Sequence, residues 1–160
     1  IIIWMLNNKG YKDLIKISSL ASTEGLYYVP RIDWQNLNKL ITPNLLVSVP
    51  FYDSFLHKNL LENKKIVPLF SQFKPIFFTG DMGLPFDYLI NKTINQYTEE
   101  NKFVCYKTHH VFYFKESDIN TYNTFRCINK RTTLTVSQLN HFGSNQFSFE
   151  SFRRNNNLQF

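Results

Sequence analysis

The sequence predicts an α/β fold in which parallel strands are joined by crossover helices. Short apolar runs typical of buried strands alternate with stretches whose apolar residues recur at helical spacing. This alternation favours parallel pairing with right-handed connections. At 160 residues the chain fits one domain, and its 43% hydrophobic content is enough for a packed core. An open sheet and part of a closed barrel both agree with the pattern.

Four strands are predicted, beginning with the apolar residues 1–6. That run is too short for a signal peptide or a membrane span. The next two strands are expected at 45–49 and 75–79. The fourth, 103–106, is a β-favouring Phe-Val-Cys-Tyr run between polar residues, which predicts a strand buried on both faces.

Five helices are predicted between and after these strands. A polar turn at 7–10 precedes the first helix, and Gly25 breaks the helical pattern after it. Asp33 is placed to cap the second, and Ser117 or Asp118 the last. The helices are expected from Tyr11 to about Leu20, from Trp34 to about Leu40, over 54–62, from Pro85 to about Tyr97, and over 119–128.

The C-terminal part of the sequence has no clear period. Residues 132–136 are predicted to be extended, which closes a first unit over 1–136. Residues 137–160, rich in Asn, Gln, Ser and Phe, are interpreted as an irregular aromatic and basic tail or the start of another unit.

The net charge of +6 is spread over separated basic pairs, among them Lys130-Arg131 and Arg153-Arg154. A solvated surface is the first interpretation, and contacts to nucleic acid through these four residues are the second. In that second case, a single-stranded DNA-binding module, aromatic rings would stack on bases; the candidates are Phe147, Phe149 and Phe152, although packing in a core is the more common role of such residues. Cys105 and Cys127 lie in apolar contexts without metal-ligand spacing, which favours free thiols in a reducing, cytoplasmic setting.

The adjacent pair His109-His110, just after the fourth strand, is the concentrated titratable feature of the chain. Neighbours in an extended segment point in opposite directions, so at most one of them faces a given site. A metal site needs three or four convergent ligands, and His57 and His141 are far away in the sequence. The chain contains no nucleophile elbow, phosphate-binding glycine loop, Cys-x-x-Cys pair or His-Glu-x-x-His helix; 80–83 is interpreted as a tight turn.

Three stretches resemble the N-terminal PHP (polymerase and histidinol phosphatase) domain of bacterial DNA polymerase III alpha subunits. Residues 6–21 are similar to its strand, Asn-x-Gly-Tyr turn and helix. Residues 24–33, Glu-Gly-Leu-Tyr-Tyr-Val-Pro-Arg-Ile-Asp, are similar to its Glu-Gly-Phe-Tyr-Tyr-x-Pro-Arg-Ile-Asp signature. Residues 103–134 follow its order of strand, polar turn and helix. The resemblance implies a partial, distorted (β/α) barrel that lacks its N-terminal part.

The departures from the family pattern fall on its metal ligands. Where the family has Asn-Asp-Val-His-Tyr, this chain has His109-His110-Val111-Phe112-Tyr113, so the Asp position holds His110 and the His position holds Phe112. The family's Ser-Gly-Cys-Leu cysteine falls on or near Phe51, and its early His-x-His motif is absent. A phenyl ring cannot coordinate a cation, so the resemblance implies a degenerate metal site, with no catalytic residue and no cofactor.

The implied role is a non-catalytic scaffold or docking segment of a replicative DNA polymerase. Its partners would be the rest of a polymerase chain, a proofreading exonuclease subunit, and DNA through the parent complex, with no membrane. The polymerase palm, whose carboxylates hold two metal ions, is outside this sequence. The alternative is a metal-dependent PHP phosphoesterase or 3′–5′ exonuclease, which would use Mn, Zn or Mg and ligands supplied from outside the segment.

Overall fold

The computed structural model describes residues 1–134 and 143–158. These residues form a mixed α/β structure, which confirms the predicted class. The strands are β1 (Ile2–Met5), β2 (Leu45–Val49), β3 (Ile76–Thr79) and β4 (Cys105–Lys107). The helices are α1 (Asn8–Thr23), α2 (Trp34–Leu40), α3 (Phe55–Leu61), α4 (Asp87–Asn101), α5 (Ile119–Lys130) and α6 (Phe149–Asn155). Across the described ranges, no helix combines the length and the apolar character needed to cross a membrane.

The chain divides into two compact units. The first contains residues 1–79 and 92–106, and the second contains 80–91 together with the described part of 107–160. The predicted boundary between 136 and 137 lies outside the described residues and stays a prediction.

The first unit holds a four-stranded sheet in the order β1-β2-β3-β4, open in the part of the chain that the structure describes. Strands β2 and β3 are parallel, as predicted, but β1 pairs with β2 antiparallel, so the prediction of uniform parallel pairing is wrong. The chain leaves β1 and enters β2 at the same end of the sheet, where the Leu6 N–H donates to the Asn44 carbonyl at 2.9 Å. Two helices, α1 and α2, lie between these strands and return the chain to that end.

Two groups of side chains fill the core of the first unit. Leu45 of β2 packs with Ile17 of α1 and Leu37 of α2, and these three are buried. The second group is aromatic and surrounds Phe77, whose side chain is fully buried. The ring of Phe77 stacks on the ring of Phe103, with ring centroids 5.4 Å apart. The other rings of that group are Phe55, Phe70 and Tyr97. Aromatic pairs at these separations add to the stability that burial alone gives.

The fourth strand differs from its prediction. It begins at Cys105, and the side chains of Val104 and Tyr106 are 53% and 55% exposed, so this segment is not buried on both faces. Phe103 packs against Phe77 and Tyr97, and the alternation of an extended chain directs the next residue away from that cluster. β-propensity predicted the strand correctly, but it carries no information about how many of its faces are covered.

Side-chain caps fix the helix starts. The Asn7 carboxamide accepts from the N–H groups of Lys9 and Gly10, both at 2.9 Å, so α1 begins at Asn8 and the predicted polar turn at 7–10 is wrong. Asp33 caps α2 through Asn36 N–H at 2.7 Å, which confirms that prediction. Asp118 gives α5 no side-chain cap; its carboxylate accepts from Lys115 N–H at 3.0 Å and closes a 3-10 turn over Glu116–Asp118 instead.

The second unit brings residues 112–114 against 147–150. Phe112 N–H donates to the Phe147 carbonyl, and Phe149 N–H donates to the Tyr113 carbonyl, each at 2.9 Å. The segment 137–160 is therefore not wholly irregular: a 3-10 turn at Asn145–Phe147 leads into α6. Residues 132–134 form no strand, and 135–136 of the predicted extended segment lie outside the described residues.

Candidate functional site

The two histidines follow β4 after a single residue, as the sequence predicts, and both are half-buried in the second unit. The His109 ring lies 5.5 Å from the Phe152 ring and hydrogen-bonds to the backbone of Gln146. Its Nε2 is buried without a hydrogen-bond partner among the described residues. The His110 ring lies instead 6.2 Å from the Phe112 ring, and the charge of Asp87 acts on it. The neighbouring imidazoles therefore have different surroundings, as expected for consecutive residues of an extended segment.

Asp87, which sequence reasoning missed, is the buried carboxylate of this site. Its side chain is 2% exposed, and one carboxylate oxygen accepts from Met82 N–H at 2.8 Å and from Leu84 N–H at 3.1 Å. These bonds fix the turn that leads into α4. The sequence Pro85-Phe86-Asp87 could have indicated this role of Asp87. An acidic side chain in the first turn of a helix commonly accepts hydrogen bonds from N–H groups that have no partner within the helix.

Burial lowers the pKa of His110 below its ordinary value of 6.5, and the charge of His109 acts in the same direction, whereas the Asp87 carboxylate raises it. Burial also lowers the pKa of His109 from 6.5, and Lys107 adds to that effect, while the bond to Gln146 opposes it. The neutral imidazoles are thus favoured.

The ring of Phe112 lies where the resemblance would place a histidine ligand. It stacks on Phe147 at 5.2 Å and on Tyr122 at 5.5 Å, with interplanar angles of 17° and 8°. Phe147 is fully buried, so the stack joins Phe112 and Tyr122 to a core residue of the second unit. A large apolar ring with these neighbours contributes packing and offers no electron pair to a cation.

Phe51, the third position at which the resemblance implies a lost metal ligand, belongs to the first unit. It lies two residues after β2, is fully buried, and packs edge to face on Tyr52 with ring centroids 4.6 Å apart. Its role in the structure is therefore that of a core aromatic residue.

The described residues contain no group of three or more His, Cys, Asp or Glu side chains placed to hold a metal ion. Asp87 and His110 supply two donor side chains, and a bound metal usually takes three or four from the protein. Both cysteines are free, and burial raises the pKa of the Cys105 thiol, which disfavours the reactive thiolate.

The residues proposed to contact nucleic acid have unequal surroundings. Lys130 and Arg131 are exposed at the end of α5, where Arg131 adopts a left-handed conformation with φ of 53°. Arg154 forms an ion pair with Glu116, and the Nε atom of Arg153 is buried. Of the three aromatic candidates, Phe147 is fully buried and Phe149 stacks on Phe114 at 5.6 Å. The ring of Phe147 is enclosed, so the packing interpretation applies to this residue and stacking on a base does not.

Comparison with known proteins gives one partial similarity. The chain is 38% identical over 76 residues to the DNA polymerase III subunit alpha of Aquifex aeolicus (strain VF5). The matched region covers 44% of this chain and 6% of that protein, so this chain spans a small part of its relative. No family model matches the sequence.

Proposed function

We propose that this chain is a non-catalytic PHP-domain segment of a DNA polymerase III alpha-like replicative polymerase, with a scaffold or docking role in DNA replication. The observation that carries this proposal is the 38% identity to a DNA polymerase III alpha subunit over 76 residues. Nucleotide addition would be carried out elsewhere in such a polymerase, because the two-metal carboxylates of a polymerase site are outside this sequence.

The contacts made by the PHP-like stretches support the proposal. Asn7 caps α1, and Gly10 lies so close to Asn44 that a Cβ on it would be 2.2 Å from the Asn44 carbonyl oxygen. In the second stretch a Cβ on Gly25 would be 1.8 Å from the Arg31 carbonyl oxygen. Gly10 and Gly25, which lie in the stretches that carry the resemblance, are thus required by the course of the backbone at these two places. This is expected if the chain and the PHP domains that it resembles share the same backbone course.

The non-catalytic part of the proposal is supported by the aromatic residues at the ligand positions. Phe112 belongs to a three-ring stack with Phe147 and Tyr122, and Phe51 belongs to the core of the first unit. Restoring donors at these positions would remove packing that holds each unit together. A PHP phosphoesterase is the second candidate, since the carboxylate of Asp87 is buried and its charge acts on the imidazole of His110. It requires additional donors.

The coding sequence on both sides of the 160 residues tests the polymerase assignment. We expect an in-frame polymerase region downstream and the remainder of a (β/α) barrel upstream. Stop codons on both sides would contradict it. In the resulting polymerase, His110→Ala should leave nucleotide incorporation within about twofold of the parent protein, because this segment takes no part in the chemistry. A large loss of kcat with a normally folded variant would contradict the scaffold role.

A further inference from the structure

Residues 24–33 form a fixed projection between α1 and α2. Arg31 N–H donates to the carbonyls of Ala21 and Gly25, both at 3.2 Å, and closes the base. Ile32 then packs against the Ile17–Leu37–Leu45 core, and Asp33 caps α2. Gly25 has no room for a side chain, so the two ends of the projection are in direct backbone contact. The base of this segment is therefore anchored to both helices.

The tip of the projection, residues 26–29, is apolar and faces solvent. Tyr28 is 90% exposed and Tyr27 is 63% exposed, and Leu26 and Val29 are each more than half exposed. A tight turn holds them, since Tyr27 N–H donates to the Val29 carbonyl at 3.2 Å. Tyr28 has φ of 59°, a left-handed conformation that is unfavourable for a tyrosine. Such backbone strain is typically kept at sites where a side chain must be presented in one orientation.

The charge at the tip is unsatisfied. The Arg31 guanidinium lies 5.2 Å from the centre of the Tyr27 ring, and among the described residues it has no carboxylate or other hydrogen-bond partner. Tyrosine and arginine are the residue types that most often contribute the binding energy of protein interfaces. The tip thus combines exposed aromatic rings with one cation available for an incoming anion.

We propose that residues 26–31 are a docking tip for another protein, whose surface has an apolar pocket for Tyr28 with a carboxylate at its rim for Arg31. The observations favour a protein over a nucleic acid. Residues 21–33 contain one basic residue, Arg31, and two acidic residues, Glu24 and Asp33, so the segment has no positive field for a phosphate backbone. The aliphatic side chains of Leu26 and Val29 match an apolar pocket. The proposal is argued from the exposure, backbone and charges of residues 21–33 and does not rest on the assignment of the chain to a polymerase.

The probe is a benzophenone photo-crosslinker placed at position 28 of the full-length protein in the cells that produce it. The matched control is the same group at Tyr88, which is 73% exposed on α4. We expect a discrete protein adduct from position 28 that is absent from position 88. Adducts to nucleic acid, or no adduct specific to position 28, would overturn the proposal.

Two variants then test the captured protein in purified form. Tyr28→Gly should weaken its binding at least tenfold while the melting temperature of the chain stays equal or rises, because glycine adopts the left-handed conformation without strain. Arg31→Glu should also weaken binding, and exchanging the mapped carboxylate of the partner for lysine should restore it. Unchanged affinity in Tyr28→Gly, or failure of the charge exchange to restore binding, would contradict the proposed contact.

Discussion

The ring of Phe112 stacks on the ring of Phe147, with centroids 5.2 Å apart and planes inclined by 17°. The backbones of the two residues are also joined, because the Phe112 N–H donates to the Phe147 carbonyl at 2.9 Å. Ring and backbone contacts together fix the segment that follows the two histidines. A position that the resemblance assigns to a metal ligand is thus part of the packing that connects residues 112–114 to 147–150.

Truncation of this stack should destabilise the second unit. Phe147→Ala should lower the free energy of unfolding by about 3–5 kcal/mol, since it empties a fully buried site. Phe112→Ala should cost less, about 1–2 kcal/mol, because its ring is 40% exposed and loses only part of its burial and stacking. Urea unfolding followed by tyrosine fluorescence and circular dichroism measures both.

Phe125→Ala is the matched control for these variants. Phe125 lies on α5 and is 71% exposed, so its replacement should change stability by less than about 0.5 kcal/mol. Equal effects for Phe125→Ala and Phe147→Ala would contradict the described packing.

The contact between Gly10 and Asn44 gives a second prediction. A methyl group on Gly10 would lie 2.2 Å from a backbone oxygen that cannot move without disturbing the Leu6–Asn44 hydrogen bond. Gly10→Ala should therefore destabilise the chain by about 1–3 kcal/mol, although alanine is the better helix former. Ser18→Ala, at an exposed position of α1, should leave stability unchanged or raise it by a few tenths of a kcal/mol. Thermal unfolding of the two variants decides; a stabilising Gly10→Ala would be incompatible with the close approach.

How much of this structure the sequence could predict depends on the range of the interactions involved. Helical periodicity predicted α2 and α3, and the Asp33 cap of α2 was predicted as well, because these features involve neighbours in the chain. The direction of β1 was wrong because it is decided by where the chain returns after α1 and α2. No pattern among neighbouring residues indicates that Asn44, just before β2, accepts a hydrogen bond from Leu6.

The candidate site was predictable to a similar degree. The position of His109 and His110 after the fourth strand followed from local order, and so did their different surroundings. Asp87 was missed, since its proximity to His110 results from the packing of a turn 23 residues earlier in the sequence. Packing was the favoured interpretation for Phe147, Phe149 and Phe152, but the local sequence does not show which of the three is fully enclosed.

The lowered pKa of His110 predicts a pH-dependent stability. In the unfolded chain the imidazole takes up a proton near its ordinary pKa of 6.5, whereas burial and His109 disfavour that proton in the folded chain despite Asp87. The unfolded state therefore binds more protons as the pH falls through 6.5, so stability decreases until the folded pKa is passed. His109 should contribute a slope of the same sign.

Unfolding free energies measured between pH 5 and pH 8 test this prediction. The parent chain should lose stability on the acid side, and His110→Gln should show a smaller loss. An identical pH profile for the parent and His110→Gln would contradict the inferred burial of the neutral imidazole.

The edge strand β1 predicts self-association of the isolated chain. β1 is at one edge of the sheet, and its side chains Ile2, Trp4 and Met5 are exposed. An apolar edge of this kind can pair with another strand. Ile2→Lys should raise the monomer fraction measured by size-exclusion chromatography with light scattering, whereas Ile15→Lys, on the exposed side of α1, should not. A parent chain that is already a monodisperse, cooperatively unfolding monomer would argue against this account.

The central claim is that phenyl rings at positions 51 and 112 leave this segment without a catalytic metal centre. Metal analysis of the purified chain after incubation with Mn²⁺ or Zn²⁺, combined with an assay of 3′–5′ exonuclease and phosphoesterase activity, tests it most directly. We expect far less than one tightly bound ion per chain and no cleavage above background. A stoichiometric ion that is lost in His110→Ala, together with cleavage that disappears when the ion is removed, would contradict it.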